Sequence, residues 1–274
     1  MRNAFPFSLL HYRNRRVIVR IFQDRPITDE DVARYREDGF IVFESIMTDE
    51  ARSHFIDFID QSPEVQDLLN GTRPLTHKKP FHGSTRNPLL NDPVTERMVD
   101  DPFLVEVLSR TIGEFRFDHA GCTLHRPGSK GFAWHHDCYW GPGQRNAYVG
   151  FLTYLDGFRR GDGSLSVVRG SHRVQNPDPQ ARGAKDWRDL TGGWMERTGV
   201  QLEEVHLELP AGSVVFHNTW NYHSVSPKPA GSAPRHYMYI GYRQPGGLFP
   251  ASMTLDEAFL NRQSPERRKL FERD

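Results

Sequence analysis

Ala147-Tyr-Val-Gly-Phe-Leu-Thr-Tyr-Leu155 is the longest strand-like run in the chain, dense in aromatic and branched side chains. From Phe117 onward, shorter runs of the same texture recur at 164–168, 204–209, 213–217 and 237–242, separated by Gly, Pro, Asp and Asn. Many short strands at such spacing predict a β-sandwich or jelly roll, because no helical segments alternate with them as a parallel sheet would require. The expected class is mainly β with flanking α-helices.

Working outward, Thr28-Asp-Glu-Asp31 offers an N-cap hydroxyl with an acid three residues on, and predicts a helix of about ten residues ending at Gly39. Phe40-Ile-Val-Phe43 reads as a short strand. Thr48-Asp-Glu opens a second helix with Phe55, Ile56 and Ile59 on one face, and 94–112 reads as a third helical stretch. The segment 174–200, with Trp187 and Trp194, fits neither period and is read as a lid. The tail over 255–273 reads as a charged amphipathic helix. The expected organisation is one domain over 1–274: a basic extension (1–26), a mainly helical part (27–115), a jelly-roll core (116–245) and a helical tail (246–274).

Composition narrows the partners. Lys plus Arg and Asp plus Glu are equal at 35 each, so no net field favours nucleic acid or an anionic membrane, and a small-molecule ligand is expected. Nothing in the sequence sets an oligomeric state. Cys122 and Cys138 are too few for a disulfide framework and are read as reduced. Arg2, Arg13, Arg15 and Arg16 without an acid read as a basic surface extension in place of a targeting peptide, since the apolar core of a secretory signal is missing. No stretch of about 18 apolar residues appears. A cytoplasmic protein is expected.

Gly131-Phe-Ala-Trp-His-His-Asp-Cys-Tyr-Trp140 places an imidazole and a carboxylate two residues apart in a β-rich context. Strand side chains alternate, so His135 and Asp137 share a face and His136 points away. Phe216-His-Asn-Thr-Trp-Asn-Tyr-His-Ser224 offers the third ligand, as His217 or His223. Two histidines and one carboxylate on one face leave octahedral iron(II) with open positions for oxygen. A zinc hydrolase uses the same donor types.

The chain resembles the phytanoyl-CoA dioxygenase family over about 27–242. Trp134-His-His-Asp137 with Tyr139-Trp140 is similar to the family's Trp-His-Gln-Asp motif with its aromatic pair, and Gly163-Ser-Leu-Ser-Val-Val-Arg-Gly-Ser-His172 to its Asn-Gly-x-Leu run ending in Pro-Gly-Ser-His. His223-Ser224 followed by Arg235 resembles its distal histidine and arginine. The resemblance implies a double-stranded β-helix of cupin type and His135, Asp137 and His223 as iron(II) ligands. It further implies O2 and 2-oxoglutarate as co-substrates, with succinate and CO2 released as a substrate C–H bond is attacked. Because Asp137 keeps the carboxylate that related halogenases lack, hydroxylation or another oxidation is implied.

In the resemblance Arg235 takes the distal carboxylate of 2-oxoglutarate, for which a guanidinium fork is suited. The spacing from His223 to Arg235 is twelve residues, one longer than usual, and the family serine position holds Val225, so Ser226 takes that role, with Ser224 the alternative. His125 stands where the family often has lysine, and Thr153 is a further candidate donor to 2-oxoglutarate. Tyr139, Phe132 and Trp194 are the candidate substrate contacts. A specialised metabolite is the expected substrate. An acyl-CoA thioester is the alternative, although no phosphate-binding motif is present, and a jelly-roll hydrolase or isomerase is the other.

Overall fold

The computed structural model describes residues 19–70, 82–85, 92–137, 148–174, 183–191, 193–246, 255 and 257–272. Strands are numbered in chain order. One sheet runs β1 (Phe40–Phe43), β8 (Ser213–Asn218), β5 (Tyr148–Tyr154), β10 (Arg235–Arg243), β3 (Arg116–His125) and β2 (His82–Thr85). The smaller sheet runs β4 (Phe132–His135), β9 (His223–Val225), β6 (Leu165–Arg169) and β7 (Glu203–His206). All pairings are antiparallel. This is the expected jelly roll.

Period-two alternation sorts the side chains of the larger sheet into two layers. Ile41, Phe43, Val149, Phe151, Val214, Phe216, Met238 and Ile240 face outward into the main core, where the helices pack. Phe40, Tyr154, Val215 and Tyr237 face inward and meet Leu165 and Val167 of the smaller sheet. That inner layer leaves room for the site.

The flanking helices follow local signals. Helix α1 (Asp29–Asp38) has the predicted capping box, with Thr28 accepting from the Asp31 amide and Asp31 accepting from the Thr28 amide, and it ends at left-handed Gly39. Helix α2 (Asp49–Asp60) is capped by Thr48 and buries Phe55 and Ile59 fully. Such a cap contributes about 1 kcal/mol. Helix α3 (Pro63–Leu69) has no counterpart among the sequence expectations. The stretch 94–112 is two helices, α4 (Pro93–Met98) and α5 (Pro102–Thr111), because proline cannot donate to a continuing helix and instead starts a new one behind the Asp101 cap.

Two further expectations change. The tail is not one helix: Ser264-Pro265 restarts the chain, giving α7 (Glu257–Asn261) and α8 (Pro265–Arg268). In 174–200 the described residues form a 3-10 turn over Trp187–Leu190 and helix α6 (Trp194–Thr198). They pack with Trp134, Val168 and Tyr222 on the outer face of the smaller sheet and form no lid there; 175–182 and 192 lie outside the described residues. The arginines of the basic extension up to Arg16, and Cys138, also lie outside them, whereas Cys122 is buried in the core. Among the described residues no helix is long and apolar enough to cross a membrane.

Candidate metal centre

Strands β4 and β9 pair so that His135 lies directly opposite His223. Asp137 follows two residues later, and its amide donates to the Thr219 carbonyl at 2.9 Å, which fixes the carboxylate beside both rings. His135 Nε2 lies 3.6 Å from one carboxylate oxygen, Oδ1, and His223 Nε2 lies 3.6 Å from the other, Oδ2. Ligand atoms of the three residues all lie within 4.8 Å of one another.

Each ring is held by its far nitrogen. His135 Nδ1–H donates to the Ala133 carbonyl at 2.7 Å, and His223 Nδ1–H donates to the Asn221 carbonyl at 3.0 Å. A metal-binding imidazole needs this, because the second hydrogen bond sets the tautomer and leaves Nε2 as the donor atom. The donor set therefore fits a divalent ion with exchangeable positions, as iron(II) in two-histidine one-carboxylate sites requires.

The other two histidines in these motifs are packed. His136 is buried against Trp220 and Tyr222, ring centroids 5.3 and 5.6 Å away, on the face opposite His135. His217 lies behind His223 at 5.6 Å, and burial pushes its pKa down to about 3, so it is neutral. The Gly-Ser-His signature serves this wall: Ser171 Oγ accepts from the Tyr222 amide at 2.8 Å, one residue before the distal histidine.

A cavity of about 400 Å³ opens between the sheets, walled by His135, Asp137, His223, Phe132, Leu165 and Val225 on one side and by His119, His125, Tyr148, Leu152, Tyr154, Tyr237 and Tyr239 on the other. Arg235 sits behind this second wall, 2% exposed. Its guanidinium donates to the carbonyls of Asp162 and Gly163 at 2.7 and 2.6 Å and to His125 Nδ1 at 2.5 Å. The Tyr154 and Phe158 rings cover it, with centroids 5.7 and 5.2 Å from the guanidinium carbon. Burial lowers its pKa, yet arginine stays a cation in proteins. The Asp162 carboxylate is taken by Lys228 at 2.8 Å, no carboxylate pairs with Arg235 among the described residues, and Arg235 Nε has no hydrogen-bond partner. A buried cation that no carboxylate of the described residues pairs with directly fits an anionic co-substrate.

The remaining candidates divide. His125 lines the cavity and holds Arg235, and Phe132 lines it beside the metal ligands. Thr153 lies on the opposite face of β5 from Leu152 and Tyr154, toward the helices, so alternation takes it away from the cavity. Ser226 accepts from the Ser164 amide at 2.9 Å and braces the turn before β6, away from the cavity. Trp194 packs on the outer cluster with Trp187, away from the cavity. Tyr139 lies outside the described residues. Tyr237 and Tyr239 were not among the candidates, although both share the period-two face of Arg235.

The sequence profile of phytanoyl-CoA dioxygenases (PhyH) matches residues 35–236. The chain belongs to the phytanoyl-CoA dioxygenase family. By that membership it is a dioxygenase of the iron- and 2-oxoglutarate-dependent class. No protein of curated function matches its sequence. Solved structures share its fold at low identity. The non-haem α-ketoglutarate-dependent carbocyclase SnoK from nogalamycin biosynthesis is 17% identical with TM-score 0.62, covering 87% of this chain and 92% of its own. The epimerase SnoN, in complex with Fe3+, α-ketoglutarate and nogalamycin RO, is 18% identical with TM-score 0.60, covering 82% and 90%. HygX from Streptomyces hygroscopicus, with nickel and 2-oxoglutarate bound, is 18% identical with TM-score 0.60, covering 85% and 92%.

Proposed function

We propose that His135, Asp137 and His223 hold iron(II), that Arg235 pairs with the distal carboxylate of 2-oxoglutarate, and that the enzyme oxidises a neutral organic small molecule in specialised-metabolite biosynthesis. The observation that carries this reading is the pairing of a converging three-donor cluster, each imidazole fixed by its own backbone carbonyl, with a buried arginine that forms no ion pair with a carboxylate among the described residues. Bound there, the metal and 2-oxoglutarate supply O2 activation and attack on a C–H bond, with succinate and CO2 as the other products. The chain's own residues orient the imidazoles, neutralise the co-substrate and keep its far end dry behind Tyr154 and Phe158.

The substrate class rests on the cavity wall. Among the described lining residues there is no Lys or Arg, and the only carboxylate is the ligand Asp137, so a polyanionic substrate portion has no counter-charge there. This gives the acyl-CoA alternative no support. SnoK and SnoN act in nogalamycin biosynthesis, which agrees with a specialised metabolite.

The test is optical. Protein purified without oxygen and given iron(II) and 2-oxoglutarate should show the weak visible metal-to-ligand charge-transfer band. Asp137→Ala should abolish it and Arg235→Ala should weaken it at fixed 2-oxoglutarate. Iron binding without any band in the native protein would overturn the 2-oxoglutarate assignment.

A further inference from the structure

The cavity wall facing the metal ligands contains a polar cluster that neither the metal nor 2-oxoglutarate needs. Its origin is a register fault. Strand β10 pairs Gly241 with His119 and Tyr242 with Phe117, so Asp118 is an extra residue in β3, a β-bulge. A bulge lets neighbouring side chains share a side where a regular strand would send them apart. The Asp118 carboxylate accordingly reaches its own neighbour, Oδ2 accepting from His119 Nδ1–H at 2.6 Å. The Tyr148 hydroxyl donates to the same oxygen at 3.0 Å and lies 2.8 Å from His119 Nδ1. Asp118 is fully buried, and Arg243 Nε lies 4.0 Å from its other oxygen.

Tyr239 completes the cluster. Its ring lies 4.7 Å from that of His119, and its hydroxyl is hydrogen-bonded to Tyr148. The room for these groups comes from two glycines paired across β5 and β10, Gly150 and Gly241. A Cβ on Gly241 would sit 2.6 Å from the Tyr148 hydroxyl and 3.1 Å from that of Tyr239, and one on Gly150 would sit 2.6 Å from the Tyr239 ring. His119, Tyr148 and Tyr239 all line the cavity.

We infer that the Asp118–His119 pair, framed by Tyr148 and Tyr239, binds a hydroxyl group of a neutral, ring-bearing substrate and sets which of its carbons faces the metal. The inference rests on the function proposed above. With Nδ1 donating to Asp118 and the ring lining the cavity, Nε2 is the ring nitrogen that would accept from the substrate hydroxyl, and the carboxylate strengthens that acceptor. The phenol rings supply flat apolar walls for a ring system. An ether or alkane in place of the hydroxyl cannot donate to Nε2. Such a substitution costs about tenfold in affinity, the ordinary worth of one hydrogen bond.

The experiment compares two fluorescent probes of similar shape, 2-naphthol and 2-methoxynaphthalene. Each is titrated anaerobically into protein loaded with iron(II) and 2-oxoglutarate, and into metal-free protein to exclude direct ligation of the phenol. The native protein should prefer 2-naphthol about tenfold or more in both forms. His119→Ala should erase the preference while the charge-transfer band persists, and His119→Gln, which keeps a side-chain acceptor, should restore part of it. If His119→Ala does not fold, Asp118→Asn decides, since it removes the carboxylate that sets the tautomer and should also lower the preference. No preference in the native protein, or one unchanged in these variants, overturns the inference. A persisting band in that case leaves the metal and co-substrate assignment standing, whereas a missing band in the native protein strikes that assignment first.

Discussion

The two walls of the cavity are built by different means. On the metal side each histidine is fixed by the carbonyl two residues before it, Ala133 for His135 and Asn221 for His223, so each ring is oriented by its own short stretch of chain. On the facing side His119 depends on a bulge against β10, and Tyr148 and Tyr239 depend on a glycine pair contributed by β5 and β10. The first wall is local and the second is a product of register among three strands. Changes in sheet packing should therefore disturb substrate choice before they disturb metal binding.

The largest effect is expected at Arg235, behind the wall that faces the metal. Arg235→Ala removes one partner of a buried charge pair, a loss on the order of 2–5 kcal/mol, so half-saturation by 2-oxoglutarate should rise roughly 30-fold or more with iron affinity retained. Arg235→Lys should recover little, because a point charge cannot reproduce the fork that spans the carbonyls of Asp162 and Gly163. Anaerobic titration of the charge-transfer band measures both. Recovery by lysine would mean that charge alone holds the co-substrate.

A smaller effect should break the metal wall alone. Gly131 precedes β4 with φ +74°, and a Cβ there would sit 2.2 Å from the Val225 carbonyl oxygen of the partner strand β9. Gly131→Ala should push β4 off β9 and spread His135 from His223, at a cost of about 1–3 kcal/mol. Iron affinity should fall by roughly the tenfold or more that poorly supported ligands show, with the naphthol preference of the metal-free protein unchanged. The reciprocal change is Gly241→Ala, whose backbone can accept alanine but whose new methyl meets the two tyrosine hydroxyls. Overpacking of about 1–3 kcal/mol in urea unfolding and a lost naphthol preference should accompany a normal charge-transfer band. If both glycine variants lose the same property, the walls are not independent.

The same contrast explains what was legible in the sequence. The pairing of His135 with Asp137 was legible because a two-residue spacing on a strand fixes a shared face, whereas residue spacing alone left His217 and His223 open and only the family resemblance chose His223, which the fold brings beside them. Arg235 entered through the family resemblance, and the strand expected over 237–242 in fact begins at it. Thr153 was misplaced although Leu152 and Tyr154 on either side face the cavity, so the alternation that sorted His136 from His135 would have excluded it. The Asp118 bulge was not readable, because a bulge is a mismatch between two strands and leaves no mark on either alone. Trp194 failed for another reason: a segment without periodicity does not say which face of the sheet it covers. At Pro102 and Pro265 the local proline signal outweighs the longer helical periodicity and breaks the helix.

The smallest effect concerns acid. His172 of the Gly-Ser-His signature contacts the Arg36 carbonyl at 3.2 Å, and burial pushes its pKa from 6.5 down to about 4. Below pH 6.5 the unfolded chain takes up a proton there that the folded chain refuses until about pH 4, so stability is intact above this window and falls as pH drops through it. His217, displaced in the same direction, adds to the slope from behind the metal ligands. His172→Asn leaves His217 in place, so the share of each can be separated: metal-free protein melted between pH 7 and pH 4 should lose stability less steeply in the variant. Because His172 follows Ser171, which holds the chain entering His223, acid should loosen the metal wall first, and iron should be released before the naphthol preference is lost. Loss of the preference first would place the weaker wall on the side of His119.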